Sequence, residues 1–401
     1  MRLLAGVLAC AGALLLGSVS TPASGQSVVH LRTDCAGVSE TCFTNTELLT
    51  EWLWNGGRSP EPSASDRVLV LAGPGNFDYF ECAGSGIDRG YVTVIGAGRD
   101  ITRFYANDRE LIGPYCKGGI TVQSCESLNF QDLSAYGSHF GVTWVDDGFA
   151  TWSDVDMIGG GKDFLFPGVP IATGGCGLGG FSTLGWYDVP YSNPPLGSTH
   201  YLFGARSIAR GQAEAFCNPG ACFTCCGRKS VGFDAASPAE IWFYGGEITA
   251  ISTVAAAYGD QLGVQLANGA RMHVFGSAVR SVAGDSSATF GALNGVLVQP
   301  QGASQFHMHG GLISADASCP AGATCTQANL NAEGVVVPAN KLGHLMGTSF
   351  EVKARGTGVA RRLVGSIDDV EGPFIWHAAS SPPLTSTTNT NAQDIFVDTA
   401  A

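Results

Sequence analysis

The chain has 401 residues, only 14% of them charged, with 56 glycines and a formal net charge of −13. So few charged helix formers argue against an all-α protein or coiled coil, and the acidic balance argues against nucleic acid as a partner, since phosphate binding needs a basic footprint. Aliphatic and aromatic content suffices for a large core, which excludes global disorder.

In chain order, Met1-Arg2 is followed by an apolar run from Leu3 to Gly17 and small polar residues up to Gly25. This is the layout of a secretory signal peptide, with cleavage expected after Ala23 or Gly25. The run is too short to span a bilayer, and no later stretch is long and apolar enough, so no membrane insertion is expected after cleavage. Export makes the cysteines a disulfide framework. Of the 13 cysteines, Cys10 lies in the leader; Cys35/Cys42 and Cys319/Cys325 read as local pairs. Cys82, Cys116 and Cys125 flank the first strands, and Cys217, Cys222, Cys225 and Cys226 form a cluster within reach of Cys176.

Residues 26–65 form an N-terminal segment with one helix, capped by Thr44 or Asn45 and carrying Glu47-Leu-Leu-Thr-Glu-Trp-Leu at helical spacing. From 66 to 377 the chain reads as short apolar strands cut by Gly, Asn and Asp. Four segments align: Val231-Gly-Phe-Asp with Ile241-Trp-Phe-Tyr-Gly-Gly-Glu-Ile; Leu262-Gly-Val-Gln with Met272-His-Val-Phe-Gly-Ser-Ala-Val; Asn294-Gly-Val-Leu with Phe306-His-Met-His-Gly-Gly-Leu-Ile; and Glu333-Gly-Val-Val with Gly343-His-Leu-Met-Gly-Thr-Ser-Phe. Upstream, Phe130-Gln-Asp-Leu-Ser aligns with Trp152-Ser-Asp-Val-Asp, and Gly137 with Gly159. A unit of three short strands, repeated at unequal lengths, predicts an all-β solenoid, a parallel β-helix with variable loops. Residues 160–200 read as a long Gly/Pro-rich loop, and 378–401 as a flexible tail. A solenoid with exposed end coils can associate end to end, so a homo-oligomer is a natural expectation.

Val68-Leu-Val-Leu-Ala-Gly-Pro-Gly-Asn-Phe followed by Tyr91-Val-Thr-Val-Ile-Gly-Ala-Gly-Arg-Asp-Ile-Thr-Arg-Phe resembles the opening coils of the pectin-lyase-like right-handed parallel β-helix superfamily, and the helix before it resembles that superfamily's N-terminal capping helix. The resemblance covers residues 44–370 and implies a right-handed β-helix. It implies no single activity, because the superfamily holds lyases, hydrolases, esterases, epimerases and non-enzymes. Trp144-Val-Asp-Asp is similar to the W-I-D-H of pectate lyases, but Asp147 stands at the His and no R-x-P-x-x-R segment follows. Of the polygalacturonase motifs only a D-D is present, and the Q-A-V-A-L of pectin methylesterases is absent.

Three constellations carry the functional expectations. The first is acidic: Asp146 and Asp147 in a turn, Asp154 and Asp156 on one strand face, and Asp132 stacked beneath Asp154, close enough to share a Ca²⁺ or to act as an acid/base pair. His139, Lys162 and Asp163 fall near the same end of the coils, and Arg206 or Arg210 is the candidate arginine base or clamp. The second follows from strand alternation, which turns Ile241/Phe243, Met272/Val274 and Phe306/Met308 inward. One outward column is then Trp242, His273, His307 and His344, the next is Tyr244, Phe275, His309 and Met346, and Glu240 and Arg271 stand beside them. Such a strip suits a polysaccharide. The third is the set of aromatics on the 160–200 loop, Phe164, Phe166, Phe181, Trp186, Tyr187 and Tyr191, as a lid or cleft wall; Trp186 and Tyr187 are its expected substrate contacts. Two readings follow: a secreted carbohydrate-active lyase or hydrolase using Asp146, Asp147, Asp154, Asp156 and Arg206, or a non-catalytic extracellular glycan-binding or structural surface protein.

Overall fold

The computed structural model describes residues 26–83, 89–106, 111–112, 115–116, 118–137, 140–145, 147–159, 179–183, 197–211, 229–235, 237–252, 258–284, 286, 289–300, 302–337, 342–365, 369–371, 374–378 and 394–398. Within them the chain is all-β, with a single helix, and its long sheets are parallel. The repeat seen in the sequence is the repeat of the structure. Ala239–Tyr244, Glu247–Ser252 and Tyr258–Leu266 are followed by Arg271–Phe275, Ala278–Val282 and Thr289–Val298, and each strand pairs in parallel with the one three places earlier. Three parallel ladders result, an arrangement compatible with a parallel β-helix.

The first ladder runs from Phe80–Ala83 to Ala360–Gly365. The second runs from Ser27–Leu31 through Ser198–Phe203, Ala239–Tyr244, Arg271–Phe275 and Gln305–His309 to Leu342–Met346 and beyond. The third includes Arg206–Gly211, Glu247–Ser252 and Ala278–Val282. The aligned sequence segments are in register: Val231, Leu262, Asn294 and Glu333 share one column, and Ile241, Met272, Phe306 and Gly343 another. Phe130 pairs with Trp152, and Gly137 with Gly159.

Alternation fills the interior as expected. Ile241, Phe243, Met272, Val274, Phe306 and Met308 are fully buried in one core that extends from Val29 to Leu363. Rings stack along it, Phe130 on Trp152 at 4.6 Å and Phe181 on Phe233 at 4.6 Å. The glycine content has a structural use in the first ladder. A Cβ on Gly232, Gly263, Gly295 or Gly334 would fall 2.5–2.7 Å from a carbonyl oxygen of the next strand and 2.6–2.9 Å from Ile248, Val279, Ile313 or Phe350 of the third ladder. Only hydrogen fits where the two ladders meet.

The corner between the second and third ladders explains a second column. The chain turns there through a left-handed residue: Asp132 (φ 52°), Asp154 (54°), Gly204 (59°), Gly245 (56°), Gly276 (58°), Gly310 (69°) and Gly347 (59°). Glycine reaches this region freely and Asp is among the few side chains that tolerate it. The register of neighbouring residues stacks these positions rung upon rung.

The helix is Thr46–Trp54, capped by Asn45, whose side chain accepts from the Leu48 N–H at 2.8 Å. It buries Leu49, Leu53 and Trp54, and Trp54 meets Phe80 edge to face at 5.7 Å. Among the described residues three disulfides are formed, Cys35–Cys42, Cys319–Cys325 and Cys82–Cys125. Three expectations change. The N-terminal segment contributes a strand, Ser27–Leu31, which pairs with Val68–Ala72. Gly179–Ser182 is a strand of the first ladder inside the stretch read as one loop from 160 to 200. In the stretch read as a flexible tail, Asp394–Asp398 pairs with Phe374–Ala378, its short apolar Ile-Phe-Val run between two Asp suiting a strand. No described helix is long and apolar enough to cross a membrane.

Candidate binding surface

The outward columns expected from alternation are present on the second ladder. Trp242, His273, His307 and His344 pair residue by residue, and so do Tyr244, Phe275, His309 and Met346. The strand Ser198–Phe203 extends both by one rung, adding Tyr201 and Phe203, and a polar third column runs Thr199, Glu240, Arg271 and Gln305. Tyr201 and Phe203 were not among the sequence candidates. Their signal is the alternation of Ser198-Thr-His-Tyr-Leu-Phe before Gly204, hidden by the variable spacing upstream. Of the five large apolar side chains prominently exposed among the described residues, Phe149, Phe203 and Met346 lie on this face, at 39%, 40% and 38% exposure.

Ring geometry defines what the face offers. Trp242 lies on His273 at 4.1 Å and 11°, His273 on His307 at 4.7 Å and 7°, Tyr244 on Phe275 at 4.9 Å and 10°, and Phe275 on His309 at 4.8 Å and 7°. Phe203 stacks on Tyr244 at 5.1 Å, and Phe149 tilts against Tyr201 at 5.6 Å. These separations follow the strand spacing. From Trp242 to His307 and from Phe203 to His309 the ring faces are covered by their neighbours along the ladder, so the edges point outward, while His344 tilts against His307 and His309. A sugar ring cannot lie flat on an indole face here; it meets a corrugated row of C–H and N–H edges. The polar column is tied to this row, since Trp242 Nε1 donates to Glu240 Oε1 at 3.2 Å.

Three imidazoles of the strip, His273, His307 and His309, are held neutral. Burial pushes His273 and His309 below the ordinary histidine value. His307 is pushed down to about 4, by burial first and then by His273, His344, His309 and Arg271. At neutral pH the ionisable charges in the three columns between Thr199 and His309 are those of Glu240 and Arg271, which are register partners of opposite sign.

The acidic residues occupy different settings. Asp132 and Asp154 fill the corner column; Asp132 Oδ2 accepts from Gln131 Nε2 at 2.9 Å. Asp154 Oδ1 accepts from Arg99 Nη2 at 2.6 Å, and Arg99 also donates to the Gly204 carbonyl. The left-handed turn at 154 separates Asp154, which is exposed, from Asp156, which is fully buried on the third ladder. Asp156 takes Arg206 Nε on Oδ1 at 2.7 Å and Arg206 Nη2 on Oδ2, with Arg99 Nε 3.6 Å away. The hydrogen bond to Asp156 raises the proton affinity of Arg206, the opposite of what an arginine base requires. Arg210 lies on the same strand. The Asp147 carbonyl accepts from Trp144 Nε1 at 3.3 Å. Among the described residues no three His, Cys, Asp or Glu side chains are grouped to hold a metal ion.

Phe181, expected on a loop, is instead a fully buried core residue. Asp146, His139, Lys162, Asp163, Phe164, Phe166, Trp186, Tyr187, Tyr191, Cys176 and the cluster Cys217, Cys222, Cys225 and Cys226 lie outside the described residues. A histidine that the sequence did not single out, His200, is buried in the interior column between Ala150 and Ile241. Its Nε2 meets Ser198 Oγ at 2.9 Å, Trp144 and Phe181 pack edge-on around it, and burial pushes its pKa down to about 3. No protein-family model, curated protein or solved structure matches the chain.

Proposed function

We propose that the protein is a secreted, non-catalytic polysaccharide-binding protein built on a right-handed parallel β-helix of the pectin-lyase-like kind, and that the outer face of its second ladder is the binding surface. The observation that carries this reading is the unbroken register of Tyr201, Trp242, His273, His307 and His344 beside Phe203, Tyr244, Phe275, His309 and Met346. An aromatic strip with a polar margin, partly exposed on a rigid sheet, is the arrangement that glycan recognition uses, with apolar edges for C–H groups and Glu240, Arg271 and Gln305 for hydroxyls. The leader, the disulfides and the three-strand repeat support the secreted solenoid.

The competing lyase or hydrolase reading loses support from the setting of its residues. Asp156 and Arg206 satisfy each other, and Asp154 is engaged by Arg99. Ca²⁺ held by Asp132, Asp154 and Asp156 would have to displace those guanidinium groups. The test is retention of the mature chain on a panel of immobilised polysaccharides, with product release followed in the same samples, with and without Ca²⁺. The expected result is retention without new reducing or unsaturated ends, weakened by Trp242→Ala. Product release, or unchanged retention of the Trp242→Ala chain, overturns the reading.

A further inference from the structure

Resting on that reading, we infer that the strip recognises an uncharged polysaccharide presented as a flat, ordered, insoluble surface, rather than a soluble chain or a polyuronate. Three observations converge on this ligand class.

The first is shape. Five rungs from Tyr201 to His344 and three columns from Thr199 to Phe203 make a face of about 19 Å by about 14 Å at ordinary strand dimensions. All of it lies on one ladder in continuous register. At the corner edge the face runs out over Gly245, Gly276, Gly310 and Gly347, where an added Cβ would meet no atom within 4 Å. On the opposite edge the same is true at Gly269. At these five positions the described residues raise no wall, and only beside Phe203 does a side-chain pair, Arg99 with Asp154, stand close over the corner at Gly204; a single soluble chain is normally gripped in a concave site.

The second is charge. The chain as a whole is strongly acidic, at −13, yet between Thr199 and His309 the strip carries only Glu240 against Arg271. A polyuronate approaching this molecule meets net repulsion and finds one arginine to oppose its repeating carboxylates. A neutral ligand has no such penalty.

The third is the ring arrangement. Stacking covers the ring faces that usually grip an individual sugar. The remaining contacts, edges repeated at every rung, are individually weak and gain strength only when many are engaged together on an extended ligand. The same stacking holds the side chains in place, so little rotamer entropy is lost on binding a rigid surface.

The experiment depletes the mature full chain from solution with microcrystalline cellulose and chitin particles. Soluble cello- and chito-oligosaccharides and soluble polygalacturonate serve as competitors. Retention on at least one of the two solids is expected, insensitive to added salt, with no competition by polygalacturonate and little by the oligosaccharides. Trp242→Ala and Phe203→Ser should each reduce retention by roughly tenfold; melting temperatures check that both variants remain folded, and the exposed Phe203 can be changed without opening the core. Competition by soluble oligosaccharide as strong as binding to the solid, or salt-sensitive binding of polygalacturonate, would overturn the inference while leaving glycan binding intact. Absence of retention by every glycan would overturn the proposed function itself, and this inference with it.

Discussion

Arg206 grips Asp156 through two nitrogens, Nε on Oδ1 at 2.7 Å and Nη2 on Oδ2, although the residues are fifty positions apart in the chain. They are partners on adjacent strands of the third ladder, with Met157 beside Ser207. A carboxylate with no solvent exposure is thus neutralised in a fork geometry, with Arg99 as a second cation.

Asp156→Ala should therefore cost about 2–4 kcal/mol, at or below the usual range for breaking a buried pair because Arg206 is partly exposed. Asp154→Asn, at a side chain 62% exposed, should cost less than about 1 kcal/mol. Urea denaturation of both variants checks this. Equal losses would show that burial of Asp156 does not distinguish the two ion pairs.

The corner column makes a backbone prediction that is independent of side-chain contacts. At Gly276, φ is 58° and an added Cβ meets no atom within 4 Å. Gly276→Asn should be tolerated to within about 1 kcal/mol, since Asn visits the left-handed region. Gly276→Val should lose about 1–2 kcal/mol or more, through the dihedral alone. Melting temperatures compared with wild type decide it. Similar values for the two variants would mean that the corner relaxes out of the left-handed region.

Much of this architecture is legible in the sequence, because parallel ladders of a repeated three-strand unit write their geometry as a repeat. Gly245, Gly276, Gly310 and Gly347 mark the corners, and the residues one and three before each give the outward columns. The same alignment placed Asp132 beneath Asp154, and the register agrees. What alignment could not reveal is why they match: a left-handed backbone requirement that Asp and Gly both meet, and that resembles a metal-binding column when only the carboxylates are read. Tyr201 and Phe203 were hidden because the long insertion before them broke the spacing. Phe181 was misread for the same reason, as its strand of four residues stands between two long stretches. The ion pairs of Asp156 escaped because Arg206 and Arg99 come from other rungs, and strand alternation does not identify partners across rungs.

The disulfides give a prediction scaled by loop length. Cys82–Cys125 closes a separation of 43 residues, and Cys319–Cys325 one of 6. Loop-closure entropy alone assigns roughly 4 kcal/mol to the first and roughly 2.4 kcal/mol to the second. Removing each pair as a double Ser variant, Cys82→Ser with Cys125→Ser and Cys319→Ser with Cys325→Ser, should lower stability in that order in denaturant titrations. Cys82 and Cys125 are also fully buried, so hydroxyls placed there would add to the difference. The reverse order would mean that the loop around Cys319 contributes more than its chain entropy.

The stacked histidines predict acid sensitivity with a defined sign. His273, His307 and His309 have folded-state pKa values below that of an unfolded histidine, with His307 at about 4, and buried His200 lies at about 3. Between the folded and unfolded values the unfolded chain holds the proton and the folded chain does not. Stability therefore rises with pH in that interval. It is complete above the unfolded value of about 6.5 and falls as the pH drops toward about 4 for His307 and about 3 for His200. The charged neighbours act in both directions on the strip: Glu240 favours protonation of His273, while His309 and Arg271 oppose it. Carboxylates titrate across the lower part of this range, so the measurement is a difference. Melting temperatures of wild type and His307→Gln are compared from pH 7 down to pH 4. The variant should lose less stability on acidification than wild type, because a neutral amide replaces a group whose protonation strains the stack. Parallel curves would show that the imidazole column takes up protons without cost to the fold.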